Sequence, residues 1–344
     1  MPTTTVEETE KKETSEDKKS GLLLDSLEIK GYRCFEHLTI EKLGRVNLIV
    51  GKNNVGKTAL LEAITFHVDV SEFDVFDSLI SRNESSEIEN EFLQKTQFDS
   101  FRHLFSNRPV LERTSDSVRL LIESPNLGVV FIDLYPPNET NHSTFSIKGS
   151  ANRKLNIKTQ FIRTSGLSNR VKLSIWDKIE RQVNEDKVVE ALKVIDDKLE
   201  DVRFSGYPDG TSNRVPVVRL KNAKERIPLK SLGEGMNRML DIALSLVNCQ
   251  NGVFLIDEIE SGLHYSVLPD VWRLIFKTAK DLNVQVFATT HSYDCIEAFT
   301  QAAIDDKESD GMLIRLENKN GAIKAVTFSE DELETVTRRN IEVR

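Results

Sequence analysis

Val46-Asn47-Leu48-Ile49-Val50-Gly51-Lys52-Asn53-Asn54-Val55-Gly56-Lys57-Thr58 is an apolar run that stops at a glycine and then spells G-x-x-x-x-G-K-[ST]. The run from Val46 to Val50 has the length and β-branched character of a buried strand with its exit turn. Thr58–Phe66 carries Leu60, Leu61, Ala63, Ile64 and Phe66 and reads as a helix. A phosphate-cradling loop requires this strand–loop–helix context. Its glycines permit a tight turn whose N–H groups point at phosphate oxygens, and the helix N-terminus adds partial positive charge. In this reading Gly51, Lys52, Asn53, Asn54, Val55 and Gly56 wrap the phosphates of ATP. Lys57 reaches the β- and γ-phosphates, and Thr58 offers its hydroxyl to Mg²⁺.

Two further strands supply what such a loop needs. Gly252-Val253-Phe254-Leu255-Ile256-Asp257-Glu258 is apolar until it ends in two acids. Carboxylates at a buried strand edge call for a cation or a reacting group. Asp257 is expected in the Mg²⁺ shell, and Glu258 as the general base that polarises the attacking water. Val286–Thr290 is the next buried run and leads into His291-Ser292. One strand–helix–strand unit separates Asp257 from His291, so in a parallel sheet both lie at one edge. His291 is then placed to meet the γ-phosphate or the attacking water. Ser231-Leu232-Gly233-Glu234-Gly235 precedes Met236–Val247, a helix apolar on two faces. Serine and glycines at a helix start form a second anion site. One subunit has no need of two, so the second site is expected to serve the nucleotide of another copy.

The order of Ser231-Leu232-Gly233-Glu234-Gly235, then Leu255–His264, then Ala288-Thr289-Thr290-His291-Ser292, resembles the ABC-type heads of SMC, RecF and OLD-family ATPases. Leu27–Phe35 is similar to their first strand and arginine turn. Gly51–Leu61 and Asp257–His264 resemble the OLD type. The resemblance implies an α/β ABC-ATPase head: a mixed and parallel sheet with flanking helices, plus an antiparallel β lobe. It implies that Ser231, Gly233, Glu234 and Gly235 complete the ATP site of a partner subunit, that Ser261 lies in the D-loop, and that His291 is the switch histidine. It also implies that Arg33 lies near the nucleotide phosphates. No glutamine is assigned to the Q-loop, for which Gln94 and Gln97 are the nearby choices. The 173 residues from Thr58 to Ser231 leave no room for SMC-type arms. The 53 residues after His291 are too few for the Toprim nuclease that OLD proteins usually carry. The chain thus resembles an armless head, similar to ATPase subunits of phage-defence pairs that control a separately encoded nuclease or effector. A RecF-like DNA-repair ATPase is the alternative. An ATP-stabilised scaffold with negligible turnover and a transporter subunit are the weaker ones.

The rest of the chain sets the frame. It has 344 residues and a net charge of −9, which speaks against general nucleic-acid binding. Three scattered cysteines fit reduced thiols in the cytoplasm. No apolar run approaches the roughly 20 residues of a membrane helix, and residues 1–20 hold no secretory h-region. Those first residues read as a disordered acidic tail, followed by one head over 21–344. An acidic insertion is expected at about 69–110; its 69–100 stretch alone carries −7 and is a candidate protein-docking surface. Residues 171–202 read as a pair of amphipathic helices, broken near Asn184-Glu185-Asp186, and as a candidate surface for a homodimer or higher homo-oligomer. Seven bases with no acid in 148–172, and seven with two acids in 203–230, leave DNA as a possible partner through its backbone.

Overall fold

In the computed structural model, residues 21–69, 103–107, 109, 116–136, 144–149, 157–206, 214–305, 310–329 and 332–333 are described. The tail at 1–20, Gln94, Gln97 and nearly all of the expected acidic insertion lie outside them.

Val46–Val50 is strand β3, buried at all five residues. It is the centre of a six-stranded sheet of order β14-β13-β3-β12-β11-β7. Its neighbours are β12 (Gln285–Thr289) and β13 (Gly311–Lys319), both parallel to it. Beyond β12 come β11 (Val253–Ile256) and β7 (Thr159–Ile162), again parallel, and β14 (Ala322–Phe328) closes the other edge antiparallel to β13. The hairpin of β13 and β14 is therefore a continuation of the main sheet.

The inner strands β3, β11 and β12 are covered on both faces and buried at every residue, which is why they are mostly apolar. Alternate residues feed two cores. Leu48, Val50, Phe254, Ile256, Val286 and Ala288 join one with α4 (Glu234–Asn248), α5 (Leu268–Asp281) and α6 (Tyr293–Asp305). Ile49, Val253, Leu255 and Phe287 join the other, with α1 (Lys57–Val68) and an antiparallel sheet. That second sheet runs β2-β1-β4-β5-β6, from β1 (Leu27–Tyr32), β2 (Phe35–Ile40), β4 (Val118–Ser124), β5 (Gly128–Tyr135) and β6 (Thr144–Gly149).

The expected helical pair is shorter than read. Helices α2 (Asn169–Arg181) and α3 (Glu185–Leu192) form, but Leu199–Gly206 is strand β8. It pairs with β9 (Arg214–Leu220), which pairs with the short β10 (Ile227–Pro228). Helix α3 ends at Leu192, and Leu199, Val202 and Phe204 are buried from β8, where a register shift between Leu199 and Asp201 sets Leu199 three residues from Val202 and alternation resumes to Phe204. The apolar faces of α2 and α3 are already occupied: Ile175, Trp176, Ile179, Val188 and Leu192 are buried in the chain's own core. Among the described residues no helix is long and apolar enough to cross a membrane.

Candidate functional site

The register of the parallel strands brings three loops to one edge. Ile49 lies opposite Thr289, and Ile256 opposite Ala288, so the exits of β3, β11 and β12 are level. Gly51–Gly56, Asp257-Glu258 and Thr290-His291 follow from those exits.

The loop before α1 has the glycines its shape demands. Gly56 has φ +95°, and a Cβ there would sit 2.5 Å from Cys34 Sγ and 2.8 Å from Phe35 Cζ. Gly51 has φ +141°, and its Cβ would lie 2.5 Å from the Leu316 carbonyl oxygen. Lys57 is 6% exposed and donates to the carbonyls of Gly51 (2.7 Å) and Lys52 (3.1 Å). Burial pushes its ammonium pKa down, against the opposing charges of Asp257, Glu258 and Glu260. Its hydrogen bonds go to two neutral carbonyls and to no carboxylate, which leaves the ammonium available for a phosphate.

Thr58 Oγ1 donates to Asp257 Oδ2 at 2.9 Å, and Thr289 Oγ1 donates to Asp257 Oδ1 at 2.6 Å. Thr289 Oγ1 also accepts the Glu258 N–H at 2.8 Å. A hydroxyl and a carboxylate side by side are hard oxygen donors. They fit Mg²⁺, which takes one or two protein ligands and completes its shell with water and phosphate oxygens. Among the described residues no group of three or more His, Cys, Asp or Glu is placed to hold a metal alone.

Glu258 adopts φ +47°, a left-handed conformation rare outside glycine. Its Oε1 lies 3.1 Å from His291 Nε2. Glu260 Oε1 accepts the His291 backbone N–H at 2.9 Å. The structure therefore gathers Lys57, Thr58, Asp257, Glu258 and His291 at one edge.

Arg33 has other partners. Its guanidinium pairs with Glu62 of α1 at 3.0 Å and donates to the Tyr32 hydroxyl at 3.2 Å. The arginine turn meets the phosphate-loop segment through Cys34, packed on Gly56.

The Ser231–Gly235 segment forms a separate group. Ser231 lies in a 3-10 turn (Leu229–Leu232), and its hydroxyl donates to the Pro228 carbonyl at 2.6 Å. Gly233, φ +96°, precedes α4, whose first turn has no side-chain cap. Open space surrounds the Cβ position of Gly233. Gly235 and Gly262 pack together, since a Cβ on Gly235 would meet the Gly262 carbonyl at 3.1 Å. Ser231–Gly235 and Ser261-Gly262 thus share a surface. Sequence reasoning missed Thr289, Glu260 and Arg238. A threonine closing an apolar strand, and an arginine inside the apolar run Met236–Val247, were the available signals.

The model of the AAA ATPase domain family matches residues 23–160 and 137–296. The chain belongs to this family and is an ATP-binding, ATP-hydrolysing enzyme. It is similar to a Helicobacter pylori protein named ATP/GTP phosphatase, with 23% identity over 81% of this chain and 88% of that one. A Methanocaldococcus jannaschii protein is 40% identical over 21% of this chain and 63% of its own length. Among solved structures, an SMC head bound to the C-winged helix domain of ScpA aligns with a TM-score of 0.56 and 15% identity, covering 92% of this chain and 99% of that one. An SMC head with an extended coiled coil, bound to the C-terminal domain of ScpA from Pyrococcus furiosus, aligns with a TM-score of 0.52 and 12% identity over 93% and 99%. The fold is therefore that of an SMC-type ABC ATPase head.

Proposed function

We propose that the chain is an OLD-type ATPase subunit that closes with a second copy around ATP and controls a separately encoded nuclease or effector, in anti-phage defence. The observation that carries the dimer is the division of the site. Lys57, Thr58, Asp257, Glu258 and His291 lie together, while Ser231–Gly235 and Ser261 form a second surface with an uncapped helix start. An uncapped N-terminus with space before it is an anion site in search of a ligand, and a partner's nucleotide supplies one. The OLD assignment rests on the resemblance of Gly51–Leu61 and Asp257–His264, and the defence role on that of Glu258–His264. A RecF-like repair role is the second reading.

In this function the loop from Gly51 to Gly56 and Lys57 bind the phosphates. Thr58 and Asp257 would hold Mg²⁺, which when bound would neutralise phosphate charge. Glu258 takes the proton of the attacking water, and His291, 3.1 Å from its carboxylate, orients it. Ser231, Gly233, Glu234, Gly235 and Ser261 act on the partner's nucleotide. Arg33 acts on α1 through Glu62. The free cysteines suit a cytoplasmic protein.

The test combines binding, turnover and size. Lys57→Ala should lose ATP binding; Glu258→Gln should bind ATP, fail to hydrolyse it and accumulate as a dimer. Chelation of Mg²⁺ should stop phosphate release. GTP belongs in the same assay, given the name of the Helicobacter pylori relative. Native turnover by both variants refutes the site; a monomer at saturating ATP in Glu258→Gln refutes the sandwich. Stimulation by DNA without a partner protein favours the repair reading.

A further inference from the structure

Arg238 is the fifth residue of α4, three residues beyond Gly235. It is 5% exposed. Its NH2 nitrogen donates to the Asp257 carbonyl at 2.7 Å and to the Glu258 carbonyl at 2.9 Å. Its NH1 nitrogen donates to the carbonyl of Arg163, in the loop after β7, at 3.0 Å. Carbonyl oxygens take all three bonds, and Nε has no partner among the described residues. Burial pushes the guanidinium pKa down, against the charges of Asp241, Glu260, Asp257 and Glu258. A buried cation bonded to backbone alone is costly, so its place is informative.

That place is the strained backbone of Glu258. The residue holds φ +47°, and two side chains pin its peptide groups: Thr289 takes its N–H and Arg238 caps its carbonyl. Asp241, one turn further along α4, grips the other end of the loop after β7. It accepts the Leu167 N–H at 3.0 Å and pairs with Lys172 at 2.8 Å. Helix α4, this loop and Ser261-Gly262 wall a cavity of 350 Å³ that reaches Glu234 and Arg238. One helix thus begins at the segment proposed to meet a partner's nucleotide and, five residues in, holds the exit of the chain's own strand β11.

We propose that Arg238 is a positioning residue that ties the Ser231–Gly235 segment and the loop after β7 to the backbone of Glu258 in the same chain, so that engagement of α4 by a partner is felt at the chain's own general base. This rests on the ATP-sandwich reading above. A guanidinium suits the task because its planar fork serves both loops at once; an ammonium offers a single point.

The test uses the full chain with Arg238→Lys and Arg238→Gln beside Glu258→Gln. ATP binding, the melting transition, and kcat and KM for phosphate release are measured in each. Arg238→Lys keeps the charge and most of the volume, so it tests the fork even where Arg238→Gln does not fold. The expected result is a lowered but still cooperative melt, KM within about twofold, and kcat lowered by at least about tenfold, because sub-ångström placement of a base governs the chemical step. A kcat within about twofold of wild type in Arg238→Lys, with Glu258→Gln stalled, overturns the inference and leaves the site reading intact. So does a loss that falls in KM with kcat unchanged. Native turnover by Glu258→Gln overturns the site reading itself.

Discussion

Thr289→Val removes one hydroxyl from the floor of the site while keeping the β-branch and nearly the same volume. Thr289 is fully buried at the end of β12. Its Oγ1 donates to Asp257 at 2.6 Å and accepts from the Glu258 N–H at 2.8 Å, and valine makes neither bond. A hydrogen bond to a carboxylate is worth about 1.5–3 kcal/mol net, and an ordinary one about 0.5–1.5 kcal/mol. Asp257 keeps its bond from Thr58, so the lower part of the first range applies. The expected loss is about 2–3 kcal/mol in urea unfolding. Without its N–H anchor the Glu258 backbone shifts, and kcat should fall about 10- to 100-fold. Thr289→Ser, which restores the hydroxyl, should recover most of both. The reasoning is refuted if valine stays within about 0.5 kcal/mol of wild type with native kcat, or if serine is as damaging as valine, since the methyl would then matter.

Gly56→Ala forces a side chain into φ +95° and within 2.5 Å of Cys34 Sγ; it should abolish nucleotide binding and cost about 1–3 kcal/mol in unfolding experiments. Lys172→Met strands Asp241, whose carboxyl pKa burial already raises against the pull of Lys172; a loss of about 3–5 kcal/mol is expected, partly regained in Lys172→Met/Asp241→Leu. Alkylation of the native chain should modify Cys34 alone, because Cys249 and Cys295 are buried and their thiol pKa values are pushed up to about 12; all three should react after unfolding.

The sequence made the central sheet legible because its strands are buried on both faces and end in chemistry. Val46–Val50, Val253–Ile256 and Gln285–Thr289 stand out as apolar runs, and each exits into residues a strand in solvent has no use for. Helix α4 was equally plain, being buried from Arg238 to Val247. The reading slipped at Leu199–Val202, where Leu199 and Val202 continue a helix-like count past Asp196-Asp197 but belong to strand β8, whose register shifts between Leu199 and Asp201. The Arg33–Glu62 pair was not legible either, because nothing local to Tyr32–Phe35 announces Glu62 as a partner. Thr289 and Arg238 escaped for a related reason: their work is to bond backbone groups of other strands, and only the register of the sheet reveals which.

The basic stretches show the same limit and alter what to expect of DNA. Counted along the chain, residues 203–230 are strongly positive. In the folded lobe Arg203 and Arg226 pair with Asp201, Arg214 with Asp177 and Arg219 with Glu200. In the other stretch Arg163 approaches Glu62 and Lys172 is buried against Asp241. Every one of these acids lies outside the two stretches, so a count along the chain overstates the local field. Exposed pairs of this kind add about 0–1 kcal/mol each to stability. Their larger effect is on partners. Lys221, Lys224 and Lys230 remain exposed on the lobe outside these pairs. Three phosphate contacts release few counterions, so DNA affinity carried by this lobe should fall with salt at a log–log slope no steeper than about −3. A slope of about −6 or steeper would mean that the paired arginines leave their carboxylates for phosphate, and that the lobe is a DNA-binding surface after all.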